Sequence, residues 1–367
     1  MFKAILFFSV FLNSQFSSAQ MATASIFGSM KSVNPAVIGQ RHAGQVTVIG
    51  QADNYDREQK LSTATGFFFD GTDKKETTIN KYSAFYGGKG GGFLTTEATA
   101  KTVAADIEGS LVDTTNNDKI SYSSDATSNY ANVGLGFGKS LGLGYSYYDY
   151  AHTDKLNATL SGQPIEVNTD ISITVHAFTG GFSQRFIGLD WGAYITHSIM
   201  TSDIKSGGGG VSTSGTGKST TSSQSVGVAV GRTSKVFHFE IGYEKDLDDV
   251  SGGSGQPTLS PARFSLVAET KMGGLTLGYR GRYFIDSYDD LETTTSNRLV
   301  YAGLADEPRL EHTVNFSLGK DKGLSFSGSV SYSKVENEEK NTLFIVDAKQ
   351  PTTTTAMGVQ VSVGYAF

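Results

Sequence analysis

No cysteine occurs anywhere in the chain, so neither a disulfide framework nor a lipid-modified N-terminal cysteine can operate. No apolar run after the N-terminus is long enough for a helix to cross a membrane. Positive charge is not in excess: the formal net charge is −6, and no basic stripe is present to neutralise phosphates, which excludes nucleic acid as a partner. Chemistry-bearing signatures are also missing. The six histidines (His42, His152, His176, His197, His238, His312) are scattered, without HExxH or a His-plus-carboxylate metal spacing. No GxSxG elbow exists. The glycine runs 87–92 and 207–210 are not followed by GK[ST] and a helix. Residues 214–219 (SGTGKS) lie in a low-complexity stretch. The expectation is a protein that is not an enzyme and uses no cofactor or metal.

What the chain does contain is 44 glycines, 17 tyrosines and 23 phenylalanines, against 6 prolines and one tryptophan. Abundant glycine with Tyr and Phe suits tilted strands and interfacial aromatic girdles. The mean hydropathy of −0.21 has a soluble value. A membrane barrel has the same value, because lipid-facing and lumen-facing residues alternate and cancel.

The N-terminus reads as a secretory signal peptide over residues 1–19: Lys3, an apolar run from Ala4 to Leu12, then Ser17-Ser18-Ala19 before the cleavage point. The other end, MGVQVSVGYAF over residues 357–367, places Met357, Val359, Val361, Val363, Tyr365 and Phe367 on one face of a strand. A strand closing a barrel in lipid accounts for such a greasy face. The stretch resembles the C-terminal signal by which bacterial outer-membrane barrels are recognised by the barrel-assembly machinery, with Tyr365 and Phe367 as its signal residues.

Residues 20–41, with Pro35 denying a donor to any ladder, read as a lead-in or plug, and 42–367 as the barrel. Strands are expected near 42–51, 62–70 and 79–87, followed by a large loop to about residue 129, in which an extra hairpin stays open. From Tyr130 onward alternation is regular, and short turns (near 139–140, 187–188, 233–234, 273–274 and 321–322) alternate with long polar loops. That is the layout of a transmembrane antiparallel β-barrel, short turns on the periplasmic rim and long loops outside. The count is about fourteen strands, with twelve or sixteen left open. A soluble β-sandwich also alternates, but does not need strands this long with aromatic ends.

Apolar parity turns Glu240, Glu244, Arg263, Glu269, Arg280, Arg282 and Glu311 inward on four consecutive strands. Charges on the lipid face at mid-membrane would cost about 2–4 kcal/mol each. The set is either a solute-facing charged wall or a ladder of ion pairs filling the lumen.

Asn34-Pro35-Ala36 ahead of the first strand, the signal peptide, the strand count and the final Phe367 together resemble the FadL-type long-chain fatty-acid transporter family. The resemblance implies that Asn34, Pro35 and Ala36 lie in a hatch inside the barrel. It implies passive uptake of small hydrophobic solutes such as fatty acids across a Gram-negative outer membrane. A kinked strand opens a lateral exit in some members. The implied partners are outer-membrane lipids, lipopolysaccharide, the barrel-assembly machinery and a hydrophobic cargo. Only residues 20–33 precede the motif, a shorter lead than the family's usual hatch. The loops at 206–223 and 249–260 are Gly/Ser-rich, and Leu343, Phe344, Ile345 and Val346 form the one greasy loop. A general diffusion porin with a polar pore and a structural or adhesive barrel with a filled lumen are the alternatives.

Overall fold

The computed structural model describes residues 34–40, 44–62, 68–88, 91–112, 117–138, 140–160, 163–207, 215–234, 236–247, 258–289, 309–319, 323–341 and 348–366. Among these, fourteen antiparallel strands close on themselves, each paired with its sequence neighbours and β1 with β14. The strands are β1 (Gly44–Ser62), β2 (Phe68–Gly88), β3 (Gly91–Val112), β4 (Asn117–Phe137), β5 (Leu141–Leu160), β6 (Gln163–Phe186) and β7 (Leu189–Gly207). They continue as β8 (Gly215–Thr233), β9 (Phe237–Asp246), β10 (Thr258–Met272), β11 (Leu275–Asp289), β12 (Arg309–Gly319), β13 (Gly323–Asn341) and β14 (Ala348–Ala366). No helix among the described residues is long and apolar enough to cross a membrane. Closure gives each of these strands a paired neighbour on both sides, the condition for a sheet in lipid.

Alternation sets the two faces. On β14, Val361 is 62% exposed and Ser362 is 9% exposed, and the same inversion repeats at each step from Met357 to Tyr365. Outward apolar side chains form a belt: Val133, Leu135 and Phe137 on β4, Leu141 and Leu143 on β5, Val314, Phe316 and Leu318 on β12. The tight connections occur at the end of the barrel where left-handed backbone is needed. Ile187 and Gly188 (φ 51° and 75°) turn β6 into β7, and Gly273 (φ 63°) turns β10 into β11.

Two expected elements are corrected. Residues 62–70 are not a separate strand: β1 runs to Ser62 and β2 starts at Phe68. Residues 91–112 and 117–129, expected within a large loop, are instead β3 and the first part of β4, paired almost throughout. The two errors have opposite sign. Several stretches read as loops are also strand extensions, such as 152–160 on β5 and 348–355 on β14. Most of these residues are polar, because outside the lipid neither face has to be greasy. Phe367, residues 1–19 with the expected signal peptide, residues 20–33 and Leu343 to Val346 lie outside the described residues.

Candidate functional site in the lumen

The segment Asn34–Gln40, with a 3₁₀ turn over Pro35–Gln40, lies against the inner faces of β3, β4, β5 and β6. Asn34, Pro35, Ala36 and Ile38 are buried. The Asn34 amide Nδ2 donates to the backbone carbonyls of Phe182 on β6 (2.8 Å) and Ala193 on β7 (3.1 Å). Its Oδ1 accepts from the Ala36 N–H at 3.0 Å, an Asx turn that Pro35 pre-sets. Glycine makes the contact possible. A Cβ on Gly142 would overlap the Pro35–Ala36 peptide, one on Gly181 the Asn34 amide, and one on Gly134 the Ile38 side chain. These are inward positions of strands whose outward positions are large and apolar. The glycine alternation on β4 and β5 is therefore clearance for the N-terminal segment.

On the same strands, β4 to β7, the inner surface away from the turns carries a large apolar cluster beside the buried polar side chains of Ser128, His152 and Thr169. Ala126, Tyr130, Tyr148, Tyr150, Ile171 and Ile173 are all buried and in one cluster, with Val175, Met200 and Ile204 packed against it. Three rings stack along β5: Tyr148 on Tyr150 (centroids 6.3 Å apart) and Tyr150 on His152 (5.8 Å). Apolar parity taken alone would send Ile171, Ile173 and Val175 to the lipid. The structure sends them inward, and Phe178, Phe182 and Phe186 outward. The readable signal was that β6 carries apolar residues on both parities in succession, so both of its faces avoid water.

The opposite wall, β9 to β12, carries the charges in rows set by register. One row runs Tyr194, Gly227, Glu244, Arg263. Tyr194 lies across Gly227, whose Cβ would collide with its ring, and its hydroxyl donates to Glu244 Oε2 at 2.6 Å. Arg263 Nη1 is 3.2 Å from Glu244 Oε1. The next row holds Arg282 and Glu311, 4.0 Å apart, and Arg280 reaches the same carboxylate at 3.6 Å. A third holds Glu240, Val267, Arg280 and Thr313. Glu269 is buried on β10, and Glu240 lies 3.7 Å from His238. All seven charged residues therefore occupy positions of inward parity, and five of them are drawn into two ion-pair groups.

Outside, two polar pairs interrupt the belt and satisfy each other: Tyr145 hydroxyl with His176 Nδ1 (2.9 Å) and Tyr279 hydroxyl with His312 Nδ1 (2.7 Å). Among the described residues, no three His, Asp or Glu side chains group as a metal site.

No protein-family model matches the sequence, and no curated protein matches it. Solved structures do. The chain is similar to the Pseudomonas putida toluene transporter TodX (10% identity, TM-score 0.57, covering 90% of this chain and 92% of that one). It is similar to a Pseudomonas aeruginosa FadL homologue (8%, 0.57, 90% and 92%) and to the Ralstonia pickettii toluene transporter TbuX (10%, 0.53, 92% and 93%). The fold is that of the FadL-type channels. At these identities the likeness concerns architecture. The described residues form a barrel of that architecture, with an apolar cluster on β4–β7 and ion pairs on β9–β12.

Proposed function

We propose that the protein is an outer-membrane channel for passive uptake of small hydrophobic solutes, fatty acids or similarly sized apolar compounds. The observation that carries this reading is the apolar inner wall of β4–β7. A barrel that served only to hold itself in lipid has no need of greasy side chains on both faces of the same strands. In this reading residues 34–40 act as the hatch, seated below that wall on its glycine floor. The β3–β4 ladder shifts register between Ala104 and Ile107; a break of this kind is where a sideways exit would lie. Assembly in the outer membrane would use Tyr365 and Phe367 as the recognised end.

The test is solute uptake by cells that lack their own long-chain fatty-acid channel, with radiolabelled oleate and toluene offered separately. Expression of the wild type restores uptake of at least one. Ile173→Asp, which puts a charge on the apolar wall and leaves the lipid face untouched, abolishes it. Uptake unchanged by Ile173→Asp would sink the reading. Burial of Glu240, Glu269 and Arg282 favours a second reading, a structural barrel with a filled lumen. That barrel would restore uptake of neither solute and would be silent in planar bilayers.

A further inference from the structure

We propose that a water-lined strip runs down the inner face of β13 and passes small uncharged polyols of the size of glycerol. The proposal goes beyond hydrophobic uptake and does not depend on it. Residues 325–333 read SFSGSVSYS. Phe326, Val330 and Tyr332 are exposed on the lipid side, so the strand turns Ser325, Ser327, Ser329, Ser331 and Ser333 to the lumen. That sets an inward hydroxyl about every 6.8 Å along the strand. All five serines are half-buried, and so is Gly323 at the turn. Each of the other strands from β4 to β14 buries at least one described inward position, whereas β13 buries none. Solvent therefore reaches this wall at every step from the turn to Ser333. Elsewhere the inner surface is closed at positions such as Tyr150, Ile173 and Val267.

A row of serines alone provides room and polarity. What points to water is Thr313 on β12, which lies directly across from Ser331 on one side and from Arg280 on the other. It is 4% exposed, and its hydroxyl has no hydrogen-bond partner in the protein; the Arg280 Nε is likewise buried without one. Buried polar groups of this kind are ordinarily met by bound water. One water oxygen accepts from both, and its own hydrogens remain for Ser331. No surplus charge on the wall is required, since Arg280 already faces Glu311. The serine row continues the same chemistry: Ser329 lies between Asn315 on β12 and Gln360 on β14, and the Ser327 hydroxyl bonds that of Ser362. An apolar molecule on this strip would strip the hydroxyls of their water and return nothing. An ion would lose hydration that uncharged hydroxyls replace poorly. A polyol exchanges its water hydrogen bonds for serine hydrogen bonds one for one.

The experiment is stopped-flow light scattering on proteoliposomes of the full-length protein, shocked with glycerol and, separately, with the trisaccharide raffinose. The wild type is expected to re-swell in glycerol faster than protein-free liposomes and not to re-swell in raffinose. Ser329→Val and Ser329→Thr put side chains of equal size at the middle step, without and with a hydroxyl. Ser329→Val should admit glycerol about threefold to tenfold more slowly than Ser329→Thr, the worth of one neutral hydrogen bond. Folding of each variant is checked by heat-modifiable electrophoretic mobility, and the same pair of substitutions at Ser333 serves if Ser329→Val does not fold. Glycerol entry no faster than in protein-free liposomes, or equal in the two variants, overturns the proposal. Raffinose entry as fast as that of glycerol also overturns it, because a wide pore would then be open. Uptake of oleate and toluene is read in a separate assay, so either result can fail without the other.

Discussion

Strands β4–β7 and strands β9–β12 turn opposite surfaces toward one lumen. The first set buries rings and branched aliphatic side chains and accepts the N-terminal segment on glycine. The second buries arginine and glutamate. Both are packed, so burial alone does not separate them. The difference lies in how each tolerates loss. An apolar wall loses contacts in proportion to the atoms removed. An ionic wall is all-or-none at each group, since deleting one partner leaves the other charge buried. A solute can slide along the first kind of surface with little penalty, whereas the second holds its members in fixed pairs.

Mutations should reproduce that asymmetry. The largest effect is expected at Glu311, the one carboxylate between Arg280 and Arg282. Glu311→Ala should lower the urea unfolding free energy in micelles by about 3–5 kcal/mol. A loss under 1 kcal/mol would show that the two arginines are already solvated and that the wall is a wet surface. On the other side, Ile173→Ala should cost about 2–3 kcal/mol, the lower part of the range for a buried isoleucine. It should slow uptake without abolishing it, in contrast to the charge introduced by Ile173→Asp. Tyr194 joins the walls, since it leaves β7, crosses Gly227 and donates to Glu244 on β9. Tyr194→Phe should cost about 1.5–2 kcal/mol, as for a hydrogen bond to a charged group. A double-mutant cycle with Arg263→Met should give non-additive losses, because Glu244 serves both. Additive losses would mean that the row does not act as a unit.

The fold class was legible because a membrane imposes a strict rule. Most outward residues between the turns must be apolar, and the sequence from Tyr130 follows that rule apart from polar positions such as His176 and His312, which pair with tyrosine hydroxyls. The β3–β4 hairpin was not legible as strands. Its exposed positions Glu97, Thr99 and Lys101 are polar, so the apolar alternation that marks the other strands is missing there. Parity also placed the charges, since arginine on the lipid side would be prohibitive. The same parity misdirects Ile171, Ile173 and Val175, because a second apolar environment inside the barrel removes the contrast that parity depends on. The glycines at Gly134, Gly142 and Gly181 were visible as a pattern, yet their cause was a partner from more than ninety residues earlier in the chain.

The smallest change in overall stability is expected at Asn34, and it tests whether the apolar wall is served by a movable part. Asn34 adds two hydrogen bonds to strand carbonyls and one to its own turn. Neutral hydrogen bonds contribute about 0.5–1.5 kcal/mol each, but the barrel keeps its ladder when they are lost. Asn34→Ala should therefore shift global unfolding by about 1 kcal/mol or less, while loosening residues 34–40 far more than the strands. The chain has no cysteine, so Ile38→Cys gives a single reporter in a position 3% exposed, against Leu94 and Gly134. A maleimide should label it slowly in the otherwise wild-type protein. The rate should rise at least tenfold when Asn34→Ala is added, about the factor expected from 1.4 kcal/mol of lost docking. Asn34→Asp should raise it further, because the carboxylate has no hydrogen to offer Phe182 and Ala193. Equal rates in all three proteins would mean that the glycine floor holds the segment by shape alone. The polar contact of Asn34 would then have no part in opening the lumen.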